Sequence, residues 1–207
     1  MTEHWSLLAA RSLGYTESMS RASIFVAALS GSVIALALVG QATAFGDGFV
    51  AFALVLLPVV YFLGVSTFAR LGQNNYEDAV WVQGMNRIRH AYFELAPALE
   101  PYFVTRRYDD PDSVLLSSLA VRRPQLPMLQ PFFSIPGVVA VVDSVVAGAI
   151  AGIAAHGLNL GTAWSVALGG LAFVLSLGAF AVWAEREIAR YTARLVVRFP
   201  EPDREGH

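Results

Sequence analysis

FVAFALVLLPVVYFLGVSTFAR, residues 49–70, carries no charged side chain before its final arginine. A helix needs about 20 apolar residues to cross a ~30 Å hydrocarbon core. A soluble helix of this length shows a charged face, and this stretch has none. Lipid offers the backbone no hydrogen-bond partner, so a segment that enters it must satisfy its own amides and carbonyls as helix. Residues 49–69 are therefore expected to span a membrane.

Three further runs follow the same logic. Residues 22–40 lie between Arg21 and the polar stretch that opens at Gln41. Residues 136–155 are apolar apart from Asp143, and residues 162–184 are closed by Glu185 and Arg186. The expected fold is an all-α integral membrane protein, a bundle of four transmembrane helices arranged as two hairpins, with cytoplasmic amphipathic helices. Five regions result: an N-terminal cytoplasmic or interfacial segment 1–21, a first hairpin 22–69, a cytoplasmic loop 70–135, a second hairpin 136–184, and a cytoplasmic helix and tail 185–207. Two hairpins of the same sense have the layout of parallel repeats, without residue identity between the halves.

Composition agrees. Of 207 residues, 56% are hydrophobic and 14% charged, against roughly 25% charged in a soluble domain. The charges lie between the apolar runs. A net charge of −2 supplies no basic field for nucleic acid. Absence of cysteine excludes disulfides and thiolate metal sites. Ala42-Thr43-Ala44 resembles a signal-peptidase site, but the preceding apolar run exceeds the usual ~7–15 residue signal core and a second span follows at once. A retained helix is expected.

Orientation follows from arginine. All 14 basic residues are arginine, and none falls in the connections 42–48 and 156–161. They cluster in the N-terminal segment, the central loop and the tail, which the positive-inside rule makes cytoplasmic. Arginine usage, with the abundance of Ala, Gly and Val, reads as the coding bias of a GC-rich bacterium. The expected location is thus an inner membrane, with both termini cytoplasmic.

Small residues recur at helical spacing: Ala140, Ser144, Gly148 and Gly152; Ala27, Gly31 and Ala35; Gly169, Gly170 and Gly178. Such stripes let backbones approach closely in lipid. Packing within the chain is the expected use, and a subunit interface the alternative. Pro58 is expected to kink the second span.

On the cytoplasmic side, residues 75–95 form an amphipathic helix. Trp81, Met85, Ile88, Tyr92 and Leu95 share one face and are expected to be covered, while Gln83, Asn86, Arg87, His90 and Glu94 lie opposite. Asn74 and Glu77 have capping-box spacing, and Pro97 ends the helix. Arg87, Arg89 and His90 form a basic triplet expected to be solvated, with an anionic ligand as the alternative. Residues 97–136 are expected to be irregular, with Asp109, Asp110 and Asp112 in an acidic turn and 126–135 re-entering the headgroup zone. Beyond the fourth span the helix is expected to continue, with Arg186, Arg190, Arg194 and Arg198 along one stripe. They are candidate contacts for anionic lipid headgroups.

No catalytic, cofactor-binding or metal-binding motif is present: there is no phosphate-cradling glycine loop, zinc-helix motif or nucleophile elbow. No enzyme activity and no cofactor are expected. Asp143 is the one ionisable residue inside the expected spans, and a carboxylate at such depth usually faces the bundle interior. Equal depth on the other spans brings Ser30, Ser32, Tyr61 and Ser176 into a layer with it. Asp143 is expected to hydrogen-bond one or more of these hydroxyls as a lock between helices, with a proton- or cation-binding site as the alternative. Two functions follow. The first is a non-enzymatic structural or regulatory membrane protein whose cytoplasmic helices bind a protein partner. The other is a small oligomeric channel or transporter using Asp143.

Overall fold

The computed structural model describes residues 2–119 and 134–202. Among these the regular structure is all helical: α1 (Thr2–Ala42), α2 (Asp47–Leu95), a 3-10 helix (Pro97–Tyr102), α3 (Pro111–Leu119), α4 (Ile135–Gly157) and α5 (Thr162–Arg194). Helices α1, α2, α4 and α5 are each long and apolar enough to cross a membrane. The four expected spans lie inside them.

The helices are longer than the spans. Helix α1 already begins at Thr2, so the N-terminal segment extends the first span. Helix α2 runs unbroken through Pro58 and Gly72. This corrects the expected start of a separate helix near Asn75. A single glycine costs a helix only about 1 kcal/mol, and no proline follows Pro58 until Pro97. Asn74 consequently caps nothing; it is 5% exposed and donates Nδ2 to the Gly14 carbonyl at 3.5 Å. The stretch after Pro97 is also more regular than expected, because Asp110 caps α3 by accepting the Ser113 amide at 2.9 Å. Of the expected re-entrant stretch 126–135, residues 126–133 lie outside the described residues.

The contacts divide the chain into two compact units. An apolar unit comprises Ser18–Gly72 and Leu129–Glu185, and a polar-cored unit Met1–Glu17, Gln73–Met128 and Arg186–His207. In the apolar unit, Phe25, Leu57, Val60, Phe68, Leu71, Val139, Val146 and Phe180 form the core. Phe68 is its aromatic centre, with ring centroids 4.7 Å from Phe180 and 5.6 Å from Trp183. Helix α4 is the most enclosed: 39% of its apolar window is buried, against 11% for α1.

Local chemistry sets the ends of α4. Ser134 accepts the Gly137 amide at 3.1 Å and Pro136 occupies the first turn, the usual pairing of cap and N-terminal proline. Asn159 (φ 56) and Gly161 (φ 84) then turn the chain into α5.

Glycine holds α4 against α5. A Cβ on Gly148 would sit 2.9 Å from the Gly169 carbonyl oxygen, and one on Gly169 would sit 3.0 Å from that of Gly148. Two carbonyls of facing backbones thus occupy the space of the missing side chains. The stripe Ala140, Ser144, Gly148 and Gly152 is used for packing within the chain. Gly31, Gly170 and Gly178 have open space where a Cβ would go. Gly148→Val should therefore lower stability in detergent by about 1–3 kcal/mol through overpacking. Gly170→Val should change it by less than about 0.5 kcal/mol. Thermal melting of the two variants checks this, and equal losses would contradict the close crossing.

Candidate functional site

The polar-cored unit is organised around one carboxylate. Asp109 is fully buried. Its Oδ2 accepts Arg87 Nε at 2.7 Å, and its Oδ1 accepts the Phe199 amide at 2.7 Å. The Arg198 amide lies 3.1 Å from Oδ1 and 3.0 Å from Oδ2. In return the Asp109 amide donates to the Phe199 carbonyl at 3.1 Å. Gln83 Nε2 donates to the carbonyls of Asp109 (2.9 Å) and Val196 (3.1 Å), and Asn86 Nδ2 to that of Tyr108 (2.8 Å). Arg87 also donates to the Val196 carbonyl. Two irregular segments, 105–110 and 195–201, are in this way fastened to the second half of α2.

That arrangement reverses part of the expected helix face. Gln83 and Asn86 are buried at 5% and 0%, and Arg87 is half-buried in an ion pair, not solvated. Val82, Met85 and Val114 form the small apolar core beside them. Trp81 and Ile88 are half-buried, while Tyr92 and Leu95, expected to be covered, are 37% and 84% exposed. The physical reason lies in the partner surface. What packs on this side of α2 is irregular backbone, which needs amide donors for its carbonyls, so amide side chains turn inward. His90 likewise leaves the solvent to stack on Phe199, with centroids 4.3 Å apart.

The acidic turn is an acceptor site for backbone amides. Asp110 takes Glu201 N at 3.2 Å as well as capping α3. Burial pushes the Asp109 carboxyl up, but Arg87 and the amides of Phe199 and Arg198 outweigh it and hold the group below its ordinary 3.8. Asp110 is lowered too, because the Ser113 and Glu201 contacts overcome its own burial.

The expected arginine stripe is shortened. Helix α5 ends at Arg194, so Arg198 stands on irregular chain and its amide serves Asp109. Non-helical backbone is needed there, since a helix would have consumed the amides that bind the carboxylate. Arg186, Arg190, Arg194 and Arg198 all have exposed side chains. Arg190 pairs with Glu187 at 2.7 Å, and Tyr191 stacks on Tyr76 at 4.4 Å.

In the apolar unit, Asp143 is fully buried on α4. It packs against Gly64 of α2, where a Cβ would overlap the carboxyl group. Neither oxygen has a hydrogen-bond partner among the described residues. The expected hydroxyl layer exists without it. Tyr61 and Ser176 lie 3.3 Å apart, and Ser144 lies 3.2 Å from Ser176. Ser32 bonds the Ala28 carbonyl at 2.8 Å, and Ser30 is exposed. Consecutive residues on a helix point about 100° apart, so Ser144 reaches the hydroxyls while Asp143 meets Gly64. The expected hydrogen-bonded lock is not formed. Gly64 went unnoticed because the space a glycine leaves has no side chain to signal it.

Among the described residues no group of three His, Asp or Glu side chains is placed to hold a metal ion. Among the described residues, these features define an all-helical fold with four candidate membrane-spanning helices and a hydrogen-bonded polar unit. Neither a protein-family model nor a curated protein nor a solved structure matches it.

Asp109 should make the polar-cored unit sensitive to acid. A carboxyl held below its ordinary value stabilises the fold fully above 3.8, and that contribution is lost as the pH falls through the lower native value. Hydrogen exchange of the Arg198 and Phe199 amides should therefore accelerate below about pH 4. Asp109→Ala should make it fast at neutral pH, at a cost of about 1–3 kcal/mol for donors left unpaired. Slow exchange in that variant would show that the carboxylate does not hold the segment.

Proposed function

We propose that this is a non-enzymatic structural or regulatory protein of a bacterial inner membrane. It crosses the membrane four times, and its cytoplasmic polar-cored unit binds a protein partner. The positions of its arginines support this orientation. Large apolar side chains on the outside of the apolar unit, among them Ile34, Leu38, Val55, Phe62 and Leu175, suit a lipid-facing surface.

The observation that carries the interaction reading is the segment after α2. Leu95 is 84% exposed, Tyr102 79% and Val104 100%, and Leu99 lies between them. Lone exposed apolar residues need no explanation, but a run of them marks a contact surface. This one sits on the unit in which Asp109, Gln83 and Asn86 fasten the irregular segments. A homo-oligomer remains compatible with this reading. The alternative, a small oligomeric channel or transporter, draws on the unpartnered Asp143.

A photo-crosslinking residue at Leu99 or Tyr102 should trap a discrete protein adduct in cells, while one at Phe62 should trap lipid. Purified protein in liposomes should pass no ions. Lipid adducts at all three positions, together with an ion flux abolished by Asp143→Asn, would favour the transporter instead.

A further inference from the structure

A groove of about 300 Å³ in the polar-cored unit is lined by His4, Trp5, Arg89, Tyr92 and Phe103. We infer that this groove binds a small organic anion with a flat apolar body, of the aromatic carboxylate class, through the Arg89 guanidinium. The inference rests on the polar-cored unit being the recognition part of the protein, and it names a ligand for it.

Arg89 differs from the other arginines packed into this unit. Arg11, Arg87, Arg106 and Arg107 each pair with an acid. Arg89 has no carboxylate within ion-pair distance among the described residues; its bonded partner is Asn86 Oδ1, at 2.6 Å from Nη1. Asn86 is fully buried, and its Nδ2 is spent on the Tyr108 carbonyl, which leaves Oδ1 turned toward Arg89. A neutral acceptor on a fixed amide therefore orients the guanidinium without neutralising it. Its remaining N–H groups form the planar fork that matches a carboxylate in two parallel bonds.

Electrostatics in the groove favour an anion. Burial, and then the charge of Arg11, act against the Arg89 cation and lower its pKa. Arg11 is itself paired with Asp78, and the lining holds no acidic side chain: beside Arg89 it has His4, Tyr92 and two apolar aromatics. Glu94, further along α2, is 67% exposed with Oε1 3.5 Å from His90 Nε2. A bound carboxylate would supply the missing counter-charge.

Shape selects the rest of the ligand. Tyr92 and Phe103 lie with centroids 6.4 Å apart and planes inclined by 28°, and Phe93 meets Phe103 edge-on at 4.9 Å. Ring faces offer stacking surface to a flat body and few hydrogen bonds. A free phosphate would want several donors and would gain nothing from such walls. The volume stands at the lower end of the ~300–1,000 Å³ typical of ligand pockets, which suits one or two rings.

The test uses full-length protein in nanodiscs of neutral lipid, with 2-naphthoate and its neutral analogue 2-naphthamide as probes. Empty nanodiscs correct for partitioning. Naphthoate should raise the melting temperature saturably and bind at least tenfold more tightly than the amide. Arg89→Gln should abolish that preference, and Tyr92→Ala should weaken binding of both probes. Equal affinity for acid and amide overturns the inference, as does an acid preference that survives in a folded Arg89→Gln protein. Where that variant does not fold, the acid–amide comparison on the unmodified protein and the Tyr92→Ala variant decide. A melting temperature that rises with anionic lipid through Arg89, with no response to naphthoate, identifies a lipid headgroup and also overturns it. Loss of the acid preference with the Leu99 and Tyr102 crosslinks intact removes this site and leaves the partner reading standing. Loss of the crosslinks with the preference intact does the reverse.

Discussion

A peptide group away from water must find its hydrogen-bond partner in the chain, and this protein meets that constraint in two ways. Where the sequence is apolar, side chains have nothing to offer, so the backbone bonds to itself as helix. Helices α1, α2, α4 and α5 are the result. Where the chain leaves helix, at 105–110 and 195–201, side chains take over the work. Asp109 collects the amides of Arg198 and Phe199, while Gln83 and Asn86 serve the carbonyls of Tyr108, Asp109 and Val196. The apolar unit needs small residues for close approach, and the polar unit needs a carboxylate and two amides.

The same accounting isolates the groups that stand outside it. Asp143 is buried beside Gly64 and bonds nothing among the described residues, although the hydroxyls of Tyr61, Ser144 and Ser176 associate nearby. Arg89 is half-buried and held by an amide where its neighbours have acids. Buried ionisable groups are costly to keep without a partner.

Much of the fold was legible because it rests on local signals. Each apolar run announces its helix, and all four expected spans fall inside observed helices. The contact of Gly148 with Gly169 was legible as a small-residue stripe, although the stripe names neither its partner nor its register. Three features were not legible, each for a non-local reason. Gln83 and Asn86 look solvent-facing because the backbone they serve lies up to 113 residues away. Arg198 looks helical by its four-residue spacing, yet its amide is claimed by Asp109. The partner of Asp143 is the empty side of a glycine. Of the expected site residues, Tyr61 and Ser176 do come together, and Ser30 and Ser32 do not join them.

The proposed topology has the apolar helices crossing a membrane with residue 112 and both termini cytoplasmic. The chain has no cysteine, so single cysteines can be introduced on a clean background and probed in intact cells with a membrane-impermeant thiol reagent. Phe45→Cys and Leu158→Cys, in the two short connections, should label from outside, while Asp112→Cys should label only after the cells are opened. Labelling of Asp112→Cys in intact cells, or protection of both connections, would contradict the account.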